Sequence, residues 1–184
     1  MTDSEIIRLY FDRSERAIKE TDRVYGRYCR YIANEILRNE DDSEEIVNDT
    51  YLKTWESIPP NDPPSLKSFL GKIVRLLSIN RLEYNNAQKR GGGQLDAVLD
   101  ELYGIIPSDE SRIIDEIALR DAINSFLRLL PAEKRRIFIR RYWYLSPISE
   151  IAKDFSCSEG RVKMILARTK NELKKKLAKE GITV

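Results

Sequence analysis

Apolar residues recur at helical spacing along most of the chain, and no strict apolar–polar alternation is sustained, so helices are predicted throughout and strands nowhere. Ser4 is placed to cap a short helix that runs to Phe11 and is broken by Asp12-Arg13-Ser14. A longer helix follows, with Ala17, Thr21, Val24, Tyr25, Tyr28, Ile32 and Ile36 on one face. Asp41-Asp42-Ser43 is the predicted cap of a third, whose stripe is Val47, Thr50, Tyr51, Thr54 and Ile58. Its opposite side groups Asn48, Asp49, Leu52 and Trp55, a polar surface with two apolar knobs that suits docking on another protein; packing of Trp55 into the core is the rival reading. The run Pro59-Pro60-Asn61-Asp62-Pro63-Pro64 cannot be helical, because its prolines lack donors and push their predecessors into extended backbone. Ser65 then caps a helix that turns Leu66, Phe69, Leu70, Ile73 and Leu77 inward and leaves Lys72, Arg75, Asn80 and Arg81 outside.

Gly91-Gly92-Gly93 marks a boundary, and the stretch after it has little periodicity before Ser111. A phosphate-binding loop is excluded there, since no strand precedes the glycines and no Gly-Lys-Ser/Thr follows. From Ser111, the residues Ile113, Ile114, Ile117, Ala122, Phe126, Leu127 and Leu130 predict a helix that Pro131 interrupts, and Ile137, Phe138 and Tyr142 predict another. The most informative segment is the last. Between Ser146 and Leu177 two helices are predicted around a tight turn at Phe155-Ser156-Cys157, the first starting at Ser146 with Pro147 inside it and the second capped by Ser158. Val162, Ile165, Leu166, Thr169, Leu173 and Leu177 form the buried stripe of the second, and its other face carries Arg161, Lys163, Met164, Arg168 and Lys170. A helix-turn-helix unit lays the first turns of such a helix in the DNA major groove, which makes Arg161, Lys163, Met164, Ala167 and Arg168 the candidate readers of base edges.

Charge sharpens that reading. Residues 131–184 hold 14 Lys+Arg against 6 Asp+Glu, whereas residues 1–130 hold 18 against 24, so the overall +2 conceals a basic end and an acidic remainder. A second basic stretch lies between Lys67 and Arg90, and the segment from 91 to 121 is acidic, with Asp96, Asp100, Glu101, Asp109 and Glu110 among its carboxylates. An acidic connector between two basic surfaces would be repelled by a continuous duplex, so another surface must hold it. The absence of histidine and the presence of only two cysteines, Cys29 and Cys157, exclude zinc fingers and histidine-dependent triads; no metal or cofactor is expected. No apolar run approaches a membrane span and the first residues lack a signal-type core, so a cytoplasmic protein without membrane insertion is expected.

Three segments in order resemble one family. DDSEEIVNDTYLKTW is similar to region 2.2, SFLGKIVRLLSINRL to regions 2.3 and 2.4, and LPAEKRRIFIRRYWYLSPISEIAKDFSCSEGRVKMILARTKNEL to region 4 of the extracytoplasmic-function group of bacterial sigma factors, dissociable promoter-recognition subunits of RNA polymerase. The resemblance implies an all-α chain with a region 2 domain over residues 1–90, a flexible acidic linker over 91–110 and a region 4 domain with a helix-turn-helix over 111–184. It implies a non-enzymatic protein whose Asn48, Asp49, Leu52 and Trp55 meet the β′ clamp helices of core polymerase, with the β flap as a further polymerase contact. It also implies that Asn61, Lys72, Arg75, Asn80 and Arg81 serve the melted −10 element, that Arg161, Lys163, Met164, Ala167, Arg168 and Lys170 serve the −35 element, and that an anti-sigma factor is a partner. Three positions depart from the family pattern: Asn80 replaces an acid, Ser156 a glycine, and Asn61 lies in an unusually proline-rich loop. The alternative function is an autonomous helix-turn-helix regulator.

Overall fold

The structure is a computed structural model that describes residues 1–88 and 113–180. The acidic linker expected over 91–110 and the helix start expected at Ser111 lie outside the described residues. Among the described residues there are eight helices and no strand, and the chain divides into two compact units, Met1–Gly91 and Gly92–Val184.

The first unit contains α1 (Asp3–Phe11), α2 (Arg16–Leu37), α3 (Glu40–Ser57) and α4 (Leu66–Gln88). The last three pack on one another around Ile32, Ile36, Val47, Ile58, Leu66, Leu70 and Val74, all of them buried. Each such side chain contributes about 2 kcal/mol by leaving water. The α3 stripe is buried as its spacing predicts, with the hydroxyls of Thr50 and Thr54 donating to the carbonyls of Ile46 and Thr50 at 2.7 Å. On α2 the buried line also takes in Gly26, Cys29 and Ala33, and Val24 faces solvent. Burial pushes the Cys29 thiol up to about 12, which removes it from thiolate chemistry. Gly71 lets α4 close on α2: a Cβ there would lie 2.5 Å from the Tyr28 hydroxyl.

The helix starts differ from expectation. Thr2, not Ser4, caps α1, in a capping box whose other half is the Glu5 carboxylate, which accepts the Thr2 N–H at 2.7 Å. Asn39, not Asp41-Asp42-Ser43, caps α3, its side chain accepting the Asp42 N–H at 2.9 Å. Asp42 is thereby left for another use. The first N–H of α4, at Leu66, is met from a distance: the Asp3 carboxylate accepts it at 2.8 Å while also accepting the Tyr25 hydroxyl. One side chain of α1 thus holds α2 and the start of α4. Ser65 adds its hydroxyl as acceptor for the Ser68 N–H at 3.3 Å.

The second unit contains α5 (Ile113–Leu129), α6 (Ala132–Tyr142), α7 (Ile148–Asp154) and α8 (Glu159–Lys179), with α5, α6 and α7 each packed against α8. Pro131 separates α5 from α6, as its missing donor requires. Val162, Ile165, Leu166, Thr169, Leu173 and Leu177 are all buried, along with Phe126, Leu130, Ile137, Phe138, Tyr142 and Ile151.

Replacing Asp3 by Ala should destabilise the first unit by about 2 kcal/mol, because it strands a backbone donor and a partly buried hydroxyl. Asp3→Asn, which keeps an acceptor, should cost less. Urea unfolding of the two variants checks this ordering.

Candidate nucleic-acid and polymerase-binding surfaces

The turn before α8 is built locally. Ser156 adopts a left-handed conformation with φ 49°, the geometry for which glycine is the usual residue, and the Cys157 N–H donates to the Ala152 carbonyl at 2.9 Å. Pro147 is the N-cap of α7, with extended backbone, so this helix begins at Ile148 and not at Ser146. Ser146 is buried instead, its carbonyl accepting from the Arg141 guanidinium at 3.2 Å. Arg140 bridges to Asp154 at 2.6 Å, tying α6 to the end of α7. Ser158 caps α8 as expected, accepting the Arg161 N–H at 3.2 Å.

Beyond the cap, the period of α8 sets Met164 and Ala167 at the middle of its solvent face, Lys163 on one edge, and Arg161 and Arg168 on the other. All five are exposed, and Lys170 is half-buried at the flank. The predicted readers thus share one accessible surface, but they are not equivalent. Arg161 bridges to Glu133 in the first turn of α6 at 2.9 Å, and Lys163 lies 4.0 Å from Glu159. Among the described residues nothing pairs with Arg168. Asn171, exposed one turn beyond Ala167, joins the same face and escapes a reading that looks only for cations.

In the first unit, α3 exposes Asn48, Asp49 and Leu52, the last 54% accessible. Trp55 departs from the expected free knob. It is half-buried, edge-on to Tyr10 with ring centroids 6.1 Å apart, and the Arg13 guanidinium lies 5.5 Å above it while donating to its carbonyl at 2.7 Å. Indole packing therefore locks α3 to the turn between α1 and α2, and only the remainder of the ring reaches solvent.

The α4 expectation needs correction at two residues. Arg81 is not an outward cation: it donates to Asp42 at 2.8 Å and holds both carboxylate oxygens of Glu45, at 2.6 and 2.9 Å. The bond from Arg81 keeps the Glu45 carboxyl below its usual range. Arg75 is half-buried, and burial lowers the pKa of its guanidinium. Lys72 and Asn80 are exposed as expected, and between and beyond them Leu76 and Tyr84 are 56% and 61% accessible. Lys72, Leu76, Asn80 and Tyr84, four residues apart, form one row. Asn61 sits in the exposed loop before α4, where its side-chain amide donates to the Ser57 carbonyl at 3.0 Å. The five residues assigned to the −10 element are therefore not one surface: Lys72 and Asn80 share a face, whereas Arg81 is turned to α3.

Residues 22–88 match the family described as Sigma-70 region 2, and residues 120–173 match Sigma-70, region 4. The chain belongs to the sigma-70 family. It is a sigma factor, which directs transcription initiation, and its partners are core RNA polymerase and promoter DNA. The two matched regions are those that the extracytoplasmic-function resemblance implies, in the same order along the chain. Among solved structures the sigma factor is similar to RpoE of Bartonella quintana, determined in complex with the anti-sigma factor NepR, at 24% identity over 87% of this chain and 96% of that one, with a TM-score of 0.33. No curated protein matches the sequence. Among the described residues no group of His, Cys, Asp and Glu is arranged to hold a metal ion, and no helix is long and apolar enough to cross a membrane.

The two apolar knobs of α3 should separate on substitution. Leu52→Ala should weaken binding to core polymerase by about 1 to 2 kcal/mol at unchanged thermal stability. Trp55→Ala should lower both, because it also empties the site between Tyr10 and Arg13. Core affinity by fluorescence titration and melting by circular dichroism distinguish the two outcomes.

Proposed function

We propose that this sigma factor divides its work between the two units, with residues 1–90 binding core polymerase and the opened −10 element and residues 111–184 binding the −35 element. The observation that carries the second assignment is the exposed face of α8, where Lys163, Met164, Ala167 and Arg168 surround a helix start fixed by Ser158. Lysine and arginine donors at the edges of that face can reach guanine acceptors, and Met164 and Ala167 offer apolar contact for thymine methyl groups. Arg161, held by Glu133, is better placed to contact a phosphate than to search among bases.

For the first unit, Asn48, Asp49 and Leu52 are the proposed contacts to the β′ clamp helices, with Trp55 positioning α3 as well as touching the partner. The row Lys72, Leu76, Asn80 and Tyr84, with Asn61 in the loop before it, is the proposed −10 surface. An exposed tyrosine and leucine between a cation and an amide suit bases that have left the duplex, because every base offers a flat face for stacking. Arg81 supports this surface from behind. The acidic connector would occupy a basic polymerase channel. The site of action is the cytoplasm, where core polymerase is found, and the family implies an anti-sigma partner for the free protein.

The test begins with holoenzyme assembled from core polymerase and this protein, used to select promoters from random DNA. Conserved −35 and −10 blocks among the products support the reading, and their absence overturns it. On the selected promoter, Lys163→Ala or Arg168→Ala should cost about 1 to 3 kcal/mol and flatten discrimination among single-base −35 variants. Replacing Lys174, Lys175, Lys176 and Lys179 by Gln should weaken binding to all variants alike and reduce its salt dependence. Altered base preference in the lysine variant would show that the register proposed for α8 is wrong.

A further inference from the structure

Helix α2 turns to solvent a face that neither surface above uses. Its helical period places Arg16, Arg23 and Arg27 opposite the buried line of Ala17, Thr21, Ile32 and Ile36, with Lys19 to one side. All four are exposed. Of the three acids on α2, Asp22 is engaged by Tyr51 and Arg30 at 2.8 and 3.0 Å, Glu35 is half-buried, and Glu20 is taken by Arg23 at 2.8 Å. Among the described residues nothing pairs with Arg16, Lys19 or Arg27.

Among the described residues Glu20 is the one acid on this face and Arg23 takes it, so the remaining cations outnumber the acids there. Lys19 and Arg23, then Arg23 and Arg27, are like charges four residues apart, which repel along the surface. Arg16 and Lys19 stand near the positive end of the helix dipole, where the N-cap Glu15 makes no side-chain cap bond and the first turn holds no acid. By contrast α3 opens with Glu40, Asp41 and Asp42. Arg16, Lys19 and Arg27, which gain no partner among the described residues, are thus available to an anionic partner. One exposed ring extends the face: Tyr31, one turn beyond Arg27, is 52% accessible. At the flank, Lys67 of α4 sits 5.1 Å above the Tyr28 ring, whose hydroxyl contacts Gly71, so the face continues onto the helix that carries Lys72.

We infer that Arg16, Lys19, Arg23 and Arg27 form a track for the phosphates of single-stranded promoter DNA, with Tyr31 as a stacking platform for a base. A row of cations that ends in an exposed ring fits an unpaired strand, since a duplex presents no base face to stack upon. The inference rests on the reading that residues 1–90 capture opened DNA.

The test uses holoenzyme on a promoter selected by the wild-type protein, in a fully paired form and in a form pre-melted across the −10 element. The variant Arg16→Gln, Lys19→Gln, Arg23→Gln, Arg27→Gln should bind the pre-melted form at least tenfold more weakly at low salt. Its log–log salt slope should fall by about 3, since each phosphate neutralised on a single strand adds roughly 0.7 to the slope. Binding to the paired form should change much less. Arg16→Lys, Arg23→Lys, Arg27→Lys should retain the slope, and Tyr31→Ala should lose affinity for the pre-melted form at an unchanged slope. A wild-type slope in the Gln variant, an equal loss on paired DNA, or a loss confined to core binding overturns the inference. Failure of the wild-type holoenzyme to select a −10 block is instead the failure of the underlying reading, and is seen before any variant is made.

Discussion

Arg81 reaches from α4 to Asp42 and Glu45 on α3, and Asn85, one turn later, donates to the second oxygen of Asp42 at 3.0 Å. The proposed polymerase-docking face is on α3 and the proposed strand-binding row is on α4, so this clasp spans the two helices whose relative placement must be kept. Its contribution to stability is modest, because Glu45 is more than half exposed and solvent screens the pair. Its contribution to geometry is larger. Leu66, Leu70 and Val74 bury α4 against its neighbours without fixing its rotation or slide, since apolar contact is non-directional. A forked guanidinium on one carboxylate, with a second carboxylate beside it, admits one register. Asp42 can serve in this way because Asn39 has taken over the capping of α3.

The same division between apolar filling and polar register recurs in the second unit. The stripe from Val162 to Leu177 glues α8 down, and Arg140 on Asp154, Arg141 on the Ser146 carbonyl and Arg161 on Glu133 fix the approach of the chain to it. Arg140 and Arg141 thereby serve the architecture of the domain, and Arg161 is shared between that role and its exposed face. What is left for a ligand is narrower than the net charge suggests, and Arg168, with no partner among the described residues, is the clearest of it.

This explains what could be read from the sequence. Buried stripes were legible where one face meets a continuous core: every residue assigned to the interior of α8 and of α3 is buried, because a period of 3.6 leaves few alternatives. Breaks at Asp12-Arg13-Ser14, at the prolines and at Pro131 were legible for the same local reason. Caps were legible at Ser158 but not at α1, α3 and α7: Thr2 and Asn39 each stand near residues of similar capping ability, and Pro147 closes α7 with no side-chain cap bond at all, so which residue begins the helix depends on where neighbouring helices need the chain to enter. Long side chains were the least legible. Arg75 and Trp55 lie at the flanks of their helices, and Arg81 shares the wheel face of Leu70, Val74 and Leu77, where its charge alone argued for an outward position; each is long enough to reach an adjacent element, and a wheel contains no adjacent element. Leu76 and Tyr84 were left unassigned, because a search of this helix for an apolar stripe and for cations passes over exposed apolar residues.

The exposed apolar residues then acquire a common sense. Leu52 on α3, Leu76 and Tyr84 on α4, Tyr31 on α2 and Met164 on α8 each have a cation, an acid or an amide among their neighbours on the helix surface. None belongs to a broad apolar patch of the sort that drives obligate association. Each is instead a single flat or flexible surface set among charges, the composition of a contact that must form and dissolve. A subunit that must engage both core polymerase and promoter DNA gains from affinity in small, separable contributions: cations whose attraction fades with salt, and isolated hydrophobes worth about 1 to 2 kcal/mol apiece. Distributing them over helices held in register by ion-paired arginines lets the surface be weak at every point and still specific as a whole.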